Sequence, residues 1–294
     1  MTKHHTNKSG HSAAAIGVAV GASILLGGNP AAARDKALIA DHTTTDISRI
    51  PAAAIARARE TLKIAYGHTS HGSQIVAGME ALKQRNPELY AFGRQEAPGN
   101  LSFWDTTPGG DLGNPDRTTW AERTRELLNG RGRDRNVIVW SWCGQAGTAS
   151  EAQMQTYLDL MDGLEKDFPE VTFIYMTGHL DGGGKDGNLH QRNEQIRDFC
   201  RKNNKVLFDF ADIESFDPDG KVNFIELHAN DGCSYRRNGT RGNWADEWLA
   251  ANPDHQFALP ASAAHSRPLN AALKGQAFWH LLARLAGWDG SSSQ

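Results

Sequence analysis

The sequence predicts an α/β fold, with three α/β/α layers built on a mainly parallel sheet. Four short apolar runs of strand length, Leu62–Gly67, Asn136–Trp142, Val171–Thr177 and Lys205–Phe210, recur along the chain. Segments with apolar residues at helical spacing separate them. Such alternation argues for βαβ units whose sheet is covered on both faces. The turns that follow the runs are rich in Gly, His, Ser and Asp, so the unusual residues gather on one rim.

Taken in order, residues 1–33 stand apart. Lys3 and Lys8 precede an uncharged, mostly apolar run, Ala13–Gly27, which ends in Ala31-Ala32-Ala33 before Arg34. This pattern predicts a secretory signal with an A-x-A cleavage site, and hence a secreted or periplasmic protein. The run is short of the ~20 residues needed to span a bilayer, so no stable membrane insertion is expected after cleavage. Residues 34–60 read as an N-terminal extension and 61–290 as one domain; no Pro/Ser-rich linker divides it.

The first run leads into Gln74–Gln84, whose apolar spacing predicts a helix. Thr119-Trp120-Ala121-Glu122 reads as a capping box that opens a helix through Leu128. Met154, Tyr157, Leu158, Met161 and Leu164 place another over Ser150–Phe168. Leu189–Lys202 and Leu269–Ala286 complete the helical segments. Two stretches, 91–116 and 213–264, are rich in Gly, Asn, Asp and Pro and read as long loops, a feature that is usually functional or disordered. Trp104, Trp244 and Trp248 lie within them, either as walls of a cleft on which sugar rings stack or as packing anchors.

Composition narrows the function classes. Losing Lys3 and Lys8 with the first 33 residues takes the formal charge from −3 to −5. A mildly acidic exported chain is a poor binder of phosphate backbones, so no nucleic-acid partner is expected. The arginines at 117, 123, 125, 131, 133 and 135 are interrupted by Glu122, Glu126 and Asp134 and read as a solvated helix face and loop. Among the three cysteines, Cys200 falls on a helix pattern as a small buried hydrophobe, which leaves Cys143 and Cys233 as the expected disulfide pair in an oxidising compartment. None has the paired spacing of a structural zinc site.

Chemistry collects at the ends of the predicted strands. Gly67-His68-Thr69-Ser70-His71-Gly72 follows the first, Ser141-Trp142-Cys143-Gly144-Gln145 the second, Gly178-His179-Leu180-Asp181-Gly182-Gly183-Gly184 the third, and Asp209 and Asp212 the fourth. Ser262-Ala263-Ala264-His265 precedes the last helix. Ser70 sits in a strand-to-helix turn, where a hydroxyl is exposed and backbone N–H groups face a ligand. The same turn reads equally as a polar loop that only caps a helix. A serine, a histidine and amide donors are what acyl transfer needs.

In this arrangement the chain resembles the SGNH (GDSL-like) hydrolase superfamily over roughly residues 60–286. Gly67-His68-Thr69-Ser70 stands where the family has Gly-Asp-Ser, and Ser262-Ala263-Ala264-His265 where it has Asp-x-x-His, with Ser262 in place of the aspartate. The resemblance implies a flavodoxin-like fold and a serine esterase that needs no cofactor. Ser70 would be the nucleophile and His265 the base, with Gly113 (in Asp111-Leu112-Gly113-Asn114) and Gln145 on the oxyanion. His68, Asp181 and Asp212 are auxiliary candidates, Asp212 as the acid that orients His265. The implied substrate is an ester, first of all an acylated carbohydrate. Two alternatives stay open: a metal-dependent hydrolase that draws ligands from His68, His71, His179, Asp181, His190 and His228, and an inactive glycan-binding protein on the same scaffold.

Overall fold

The structure, a computed structural model, describes residues 1–2, 34–105 and 116–291. Among these residues seven strands form one fully parallel sheet: β1 (Leu38–Ala40), β2 (Lys63–Gly67), β3 (Phe92–Gly93), β4 (Leu101–Asp105), β5 (Val137–Trp140), β6 (Thr172–Met176) and β7 (Val206–Phe208). Their order is β1-β7-β6-β5-β2-β4-β3. The central five run in the flavodoxin-like order, and β2 pairs with β4 on one side and β5 on the other. Chain direction across the sheet reverses there, which opens a crevice at the carboxyl ends of the strands.

Strand alternation builds two cores. Ile64 and Tyr66, Val137 and Val139, Ile174 and Met176, and Val206 and Phe208 face one side, where they pack with Ile55 and Ala58 of α1 (Ala52–Thr61), Ile75 and Met79 of α2 (Ser73–Arg85) and Phe278 and Trp279 of α8 (Pro268–Leu285). Ala65, Ile138, Trp140, Phe173, Tyr175 and Leu207 face the other, against α3 (Thr119–Asn129), α4 (Glu151–Asp167) and α5 (Asn188–Lys202). With both faces buried, each central strand must be apolar throughout, and this produced the continuous runs in the sequence.

The two stretches read as loops carry structure. Residues 91–116 supply β3 and β4, which extend the sheet past β2. Residues 213–264 hold the end of α6 (Phe210–Glu214), the antiparallel hairpin β8 (Ser234–Arg237) and β9 (Thr240–Asn243), and α7 (Trp244–Ala251). Residues 34–60 contribute β1 at the sheet edge and most of α1. Trp244 is buried in the core, Trp104 donates to the Arg94 carbonyl under the Arg135 guanidinium, and Trp248 donates to Asp219, so all three anchor packing. Within the basic run, Arg135 is buried and paired with Glu96 and Asp134.

Two local expectations are corrected. The N-cap of α3 is Thr118, and no capping box forms at Thr119–Glu122; Asp116 accepts from the Thr118 and Thr119 N–H groups and does the capping from outside the helix. Cys233 is a buried free thiol beside Ser266, so the Cys143–Cys233 disulfide does not form. Among the described residues no helix is long and apolar enough to cross a membrane.

Helices α2 and α8 touch backbone to backbone. A Cβ on Gly78 would lie 2.0 Å from the Ala271 carbonyl oxygen, and one on Gly275 would lie 2.4 Å from the Gly78 carbonyl carbon. Only glycine permits this approach. The crossing lies just before the midpoint of each helix, and the N-terminal end of each adjoins a histidine of the site.

Candidate active site

The turn after β2 is tightly specified. The Ser73 N–H and Oγ–H both donate to the Ser70 carbonyl, at 3.2 and 2.6 Å, and the Tyr66 hydroxyl donates to the Gly72 carbonyl at 3.0 Å. A Cβ on Gly72 would strike His68 Cβ at 2.4 Å, so glycine is required. The turn delivers half-buried His71 to the crevice.

His179 follows β6. Asn193 clamps the peptide before it, accepting from the Gly178 N–H at 2.8 Å and donating to the Gly178 carbonyl at 3.2 Å. Nδ1 of His179 lies 2.8 Å from the Leu180 carbonyl oxygen, which can only accept. Nδ1 therefore carries a proton and donates it to that carbonyl, which leaves Nε2 as the ring nitrogen turned to the crevice. Gly144, in the loop after β5, borders that nitrogen; a Cβ there would lie 3.7 Å from it.

Asp231 reaches the site through a short antiparallel bridge between Asp181 and Asn230, flanked by hydrogen bonds from Asp231 N–H to the Leu180 carbonyl and from Gly182 N–H to that of Ala229. Its Oδ2 lies 3.0 Å from His71 Nε2. Burial pushes the Asp231 carboxyl up, but the hydrogen bond to His71, the charges of His179 and His71 and the Gly232 N–H outweigh it and hold the group below the usual carboxylate range.

His265 completes the group from the loop before α8, in left-handed backbone at φ 59°. Its ring stacks on His71 with centroids 4.4 Å apart, and His71 stacks on His179 at 3.8 Å with planes 1° from parallel. Three imidazoles thus form a column, with an ionised carboxylate on the middle one. Such a column accepts and holds a proton next to a fixed negative charge.

Donor atoms of His71, His179 and Asp231 lie within 4.8 Å of one another, a metal-capable set. An imidazole binds a metal in its ring plane, at ~2.0–2.1 Å for zinc. Two rings stacked face to face cannot both place one ion in their planes, so coordination requires one ring to turn.

The predicted residues fall into three groups. His265 comes to the column, one residue along the chain from Ser70 at its His71 contact. Ser70 is exposed, and among the described residues neither its Oγ nor its N–H makes a hydrogen bond, to His265 or to any other group. Gln145 lies on the loop that borders His179; its backbone N–H donates to Trp142 and its carbonyl accepts from Arg117, and among the described residues its side-chain amide has no hydrogen-bond partner. Gly113 lies outside the described residues. His68 is buried between the Thr69 carbonyl and Asp105, both at 2.6 Å, and ties the end of β2 to β4. Asp181 forms the bridge to Asn230 and accepts from Gly183 N–H. Asp212 does not orient His265: the backbone N–H and ring of His42 engage it, where the chain leaves β1. His190 sits on α5 near Glu194, and His228 is exposed against Gly184, both outside the column.

Behind the column lies a fully buried polar brace that sequence reasoning missed. Lys274 Nζ contacts Glu214 Oε1 at 2.6 Å, donates to Gln74 Oε1 and sits 3.7 Å over the Phe210 ring. Glu214 Oε2 accepts from the Leu180 N–H at 2.7 Å, beside His179, while Gln74 donates to the Ala264 carbonyl at 2.7 Å, beside His265. One buried ion pair thereby holds the backbones of two column histidines.

Compared with protein-family models and with curated proteins, the chain matches none.

Proposed function

We propose that this chain is an exported hydrolase of SGNH type that cleaves an ester, with Ser70 as nucleophile and His265 as base. One observation carries the reading: a strand-to-helix turn with an unengaged serine, three stacked histidines and an ionised aspartate meet at the crevice beside the β2–β5 switch. In the proposed step Ser70 Oγ attacks the acyl carbon as His265 takes its proton, the ester C–O bond breaks, and the His265 imidazolium gives that proton to the departing alcohol oxygen. The Asp231 charge lowers the cost of the imidazolium within the column. The Ser70 N–H and the Gln145 amide receive the oxyanion, and water then releases the acid. Loss of one such donor costs ~10²–10³ in rate. An acyl group on a carbohydrate is the proposed substrate, and the pattern in residues 1–33 supports export.

The test is labelling of the full chain by a fluorophosphonate, with the adduct located by peptide mass spectrometry. An adduct on Ser70 that disappears in His265→Ala supports the reading. No adduct on a folded protein overturns it. A second reading, divalent-metal hydrolysis, is favoured by the His71, His179 and Asp231 donor set. It predicts stoichiometric metal and complete loss of turnover with chelator.

A further inference from the structure

The β8–β9 hairpin places two arginines where like charges destabilise a sheet. Arg236 and Arg241 are direct cross-strand partners, so their side chains leave the same face of the ribbon. Both are exposed, and among the described residues neither guanidinium has a hydrogen-bond or ion-pair partner. Other arginines are tied down: Arg125 to Asp167, Arg135 to Glu96 and Asp134, Arg197 to Asp209.

The two arginines border a cavity of about 250 Å³, lined also by Gly182, His228, Asn230, Ser234 and Tyr235. Among the described residues no carboxylate lines it. Hydroxyl, amide and imidazole groups surround the guanidinium pair, a donor-rich wall with a net positive charge. The volume is below the usual range for drug-sized ligands and suits one sugar ring or a smaller group.

Its position ties it to the column. Gly182 and Asn230 of the cavity wall belong to the same antiparallel bridge that carries His179 on one strand and Asp231 on the other. A ligand held there touches the two segments that carry His179 and Asp231.

We propose that this cavity is an anion subsite, in which Arg236 and Arg241 clamp a compact oxyanion, a carboxylate, sulfate or phosphate, borne by the molecule that enters the crevice. Guanidinium groups bind such anions through paired charge-assisted hydrogen bonds. The bound anion removes the cross-strand repulsion, so occupancy stabilises the hairpin. The proposal concerns binding and stands whichever residue performs the chemistry.

The experiment titrates the full chain, at low ionic strength with chloride matched as control, with sodium sulfate, sodium phosphate, D-glucuronate and D-glucose, read by calorimetry and by Tm. Saturable binding of the anions with a rise in Tm, and none of glucose, is the expected result. Tighter binding of glucuronate assigns the anion to a sugar carboxylate, and tighter binding of sulfate or phosphate to an esterified or free oxyanion. In Arg236→Ala/Arg241→Ala the Kd should rise by at least about tenfold, the loss of one charge-assisted contact or more. The ligand-free Tm should stay level or increase, because a repulsive pair is gone. Anion binding no stronger than chloride, undiminished binding in the double variant, or a fall of several degrees in its ligand-free Tm would each overturn the proposal.

Discussion

His71 lies face to face with His179, ring centroids 3.8 Å apart and planes 1° from parallel, while its Nε2 meets the Asp231 carboxylate at 3.0 Å. The stack and the ion pair make different demands on a bound metal. Removing the carboxylate takes away the negative charge that Asp231 holds against His71. In Asp231→Asn we expect turnover of an activated ester to fall by about 10²-fold, as for loss of a positioned acid–base group. Added EDTA should leave wild-type turnover unchanged, because the rings do not converge on one ion. Stoichiometric zinc with EDTA-sensitive turnover would instead assign the site to the metal.

The glycine crossing of α2 and α8 sets how far apart the His71 and His265 turns lie. Gly78→Ala puts a methyl within 2.0 Å of the Ala271 carbonyl oxygen. Alanine favours an isolated helix by roughly 1 kcal/mol, but forced separation of packed helices costs about 1–3 kcal/mol or more. Net destabilisation of about 2 kcal/mol is expected, measured by urea unfolding. At this chain length that corresponds to a Tm lower by roughly 4–8 °C. A Tm equal to wild type would show that the helices separate freely.

The brace behind the site tests as a double-mutant cycle. Lys274 and Glu214 are both fully buried, so Lys274→Met leaves a carboxylate uncompensated, at about 3–5 kcal/mol. Glu214→Gln keeps an acceptor for the Leu180 N–H and strands the ammonium. Burial already lowers the Lys274 pKa against the pull of Glu214, so this ammonium sheds its proton more readily once alone. The double variant should be less destabilised than the two single variants summed, by about 2 kcal/mol or more. Additive losses would mean that the two side chains do not act as a pair.

These features differ in how far the sequence discloses them. The four central strands were legible because burial on both faces forces uninterrupted apolar runs, and α4, α5 and α8 because one apolar stripe repeats at helical spacing. β1 is only three residues and β3 two, too short for a periodic signal, and β4 sits among Gly, Pro and Asn that mask Leu101–Asp105. Pairing of β1 with β7, β3 with β4 and β4 with β2 makes them strands. In the site, Ser70 and His265 stand out by their place before helices, and His71 and His179 by their glycine-rich turns. Asp231 has no such mark. It lies 160 positions from His71 in a segment without periodicity, and only the bridge at Asn230 brings it there. Asp212 carried the stronger local signal, beside a strand end, yet His42 claims it.

That His42–Asp212 pair gives the fold a pH signature. His42 stacks on Phe216 at 3.7 Å, and its ring and backbone N–H both hold the Asp212 carboxylate. Burial lowers the His42 pKa, but the hydrogen bond and charge of Asp212, with Asp41 and Asp209, outweigh it, and the result is raised above 6.5. Burial raises the Asp212 pKa, but the His42 hydrogen bonds and charge, with Arg197, bring it below 3.8. The raised histidine contributes fully below the unfolded value of 6.5 and loses its contribution as pH climbs through the folded pKa. The depressed aspartate contributes fully above 3.8 and loses it as pH falls through its own. Both contributions are present together between about pH 4 and 6.5. Urea unfolding of wild type and Asp212→Asn from pH 3 to 9 should show the largest stability difference inside that window, narrowing on either side. A difference that stays constant across the range would mean that the pair stabilises by hydrogen bonding alone, without its charges.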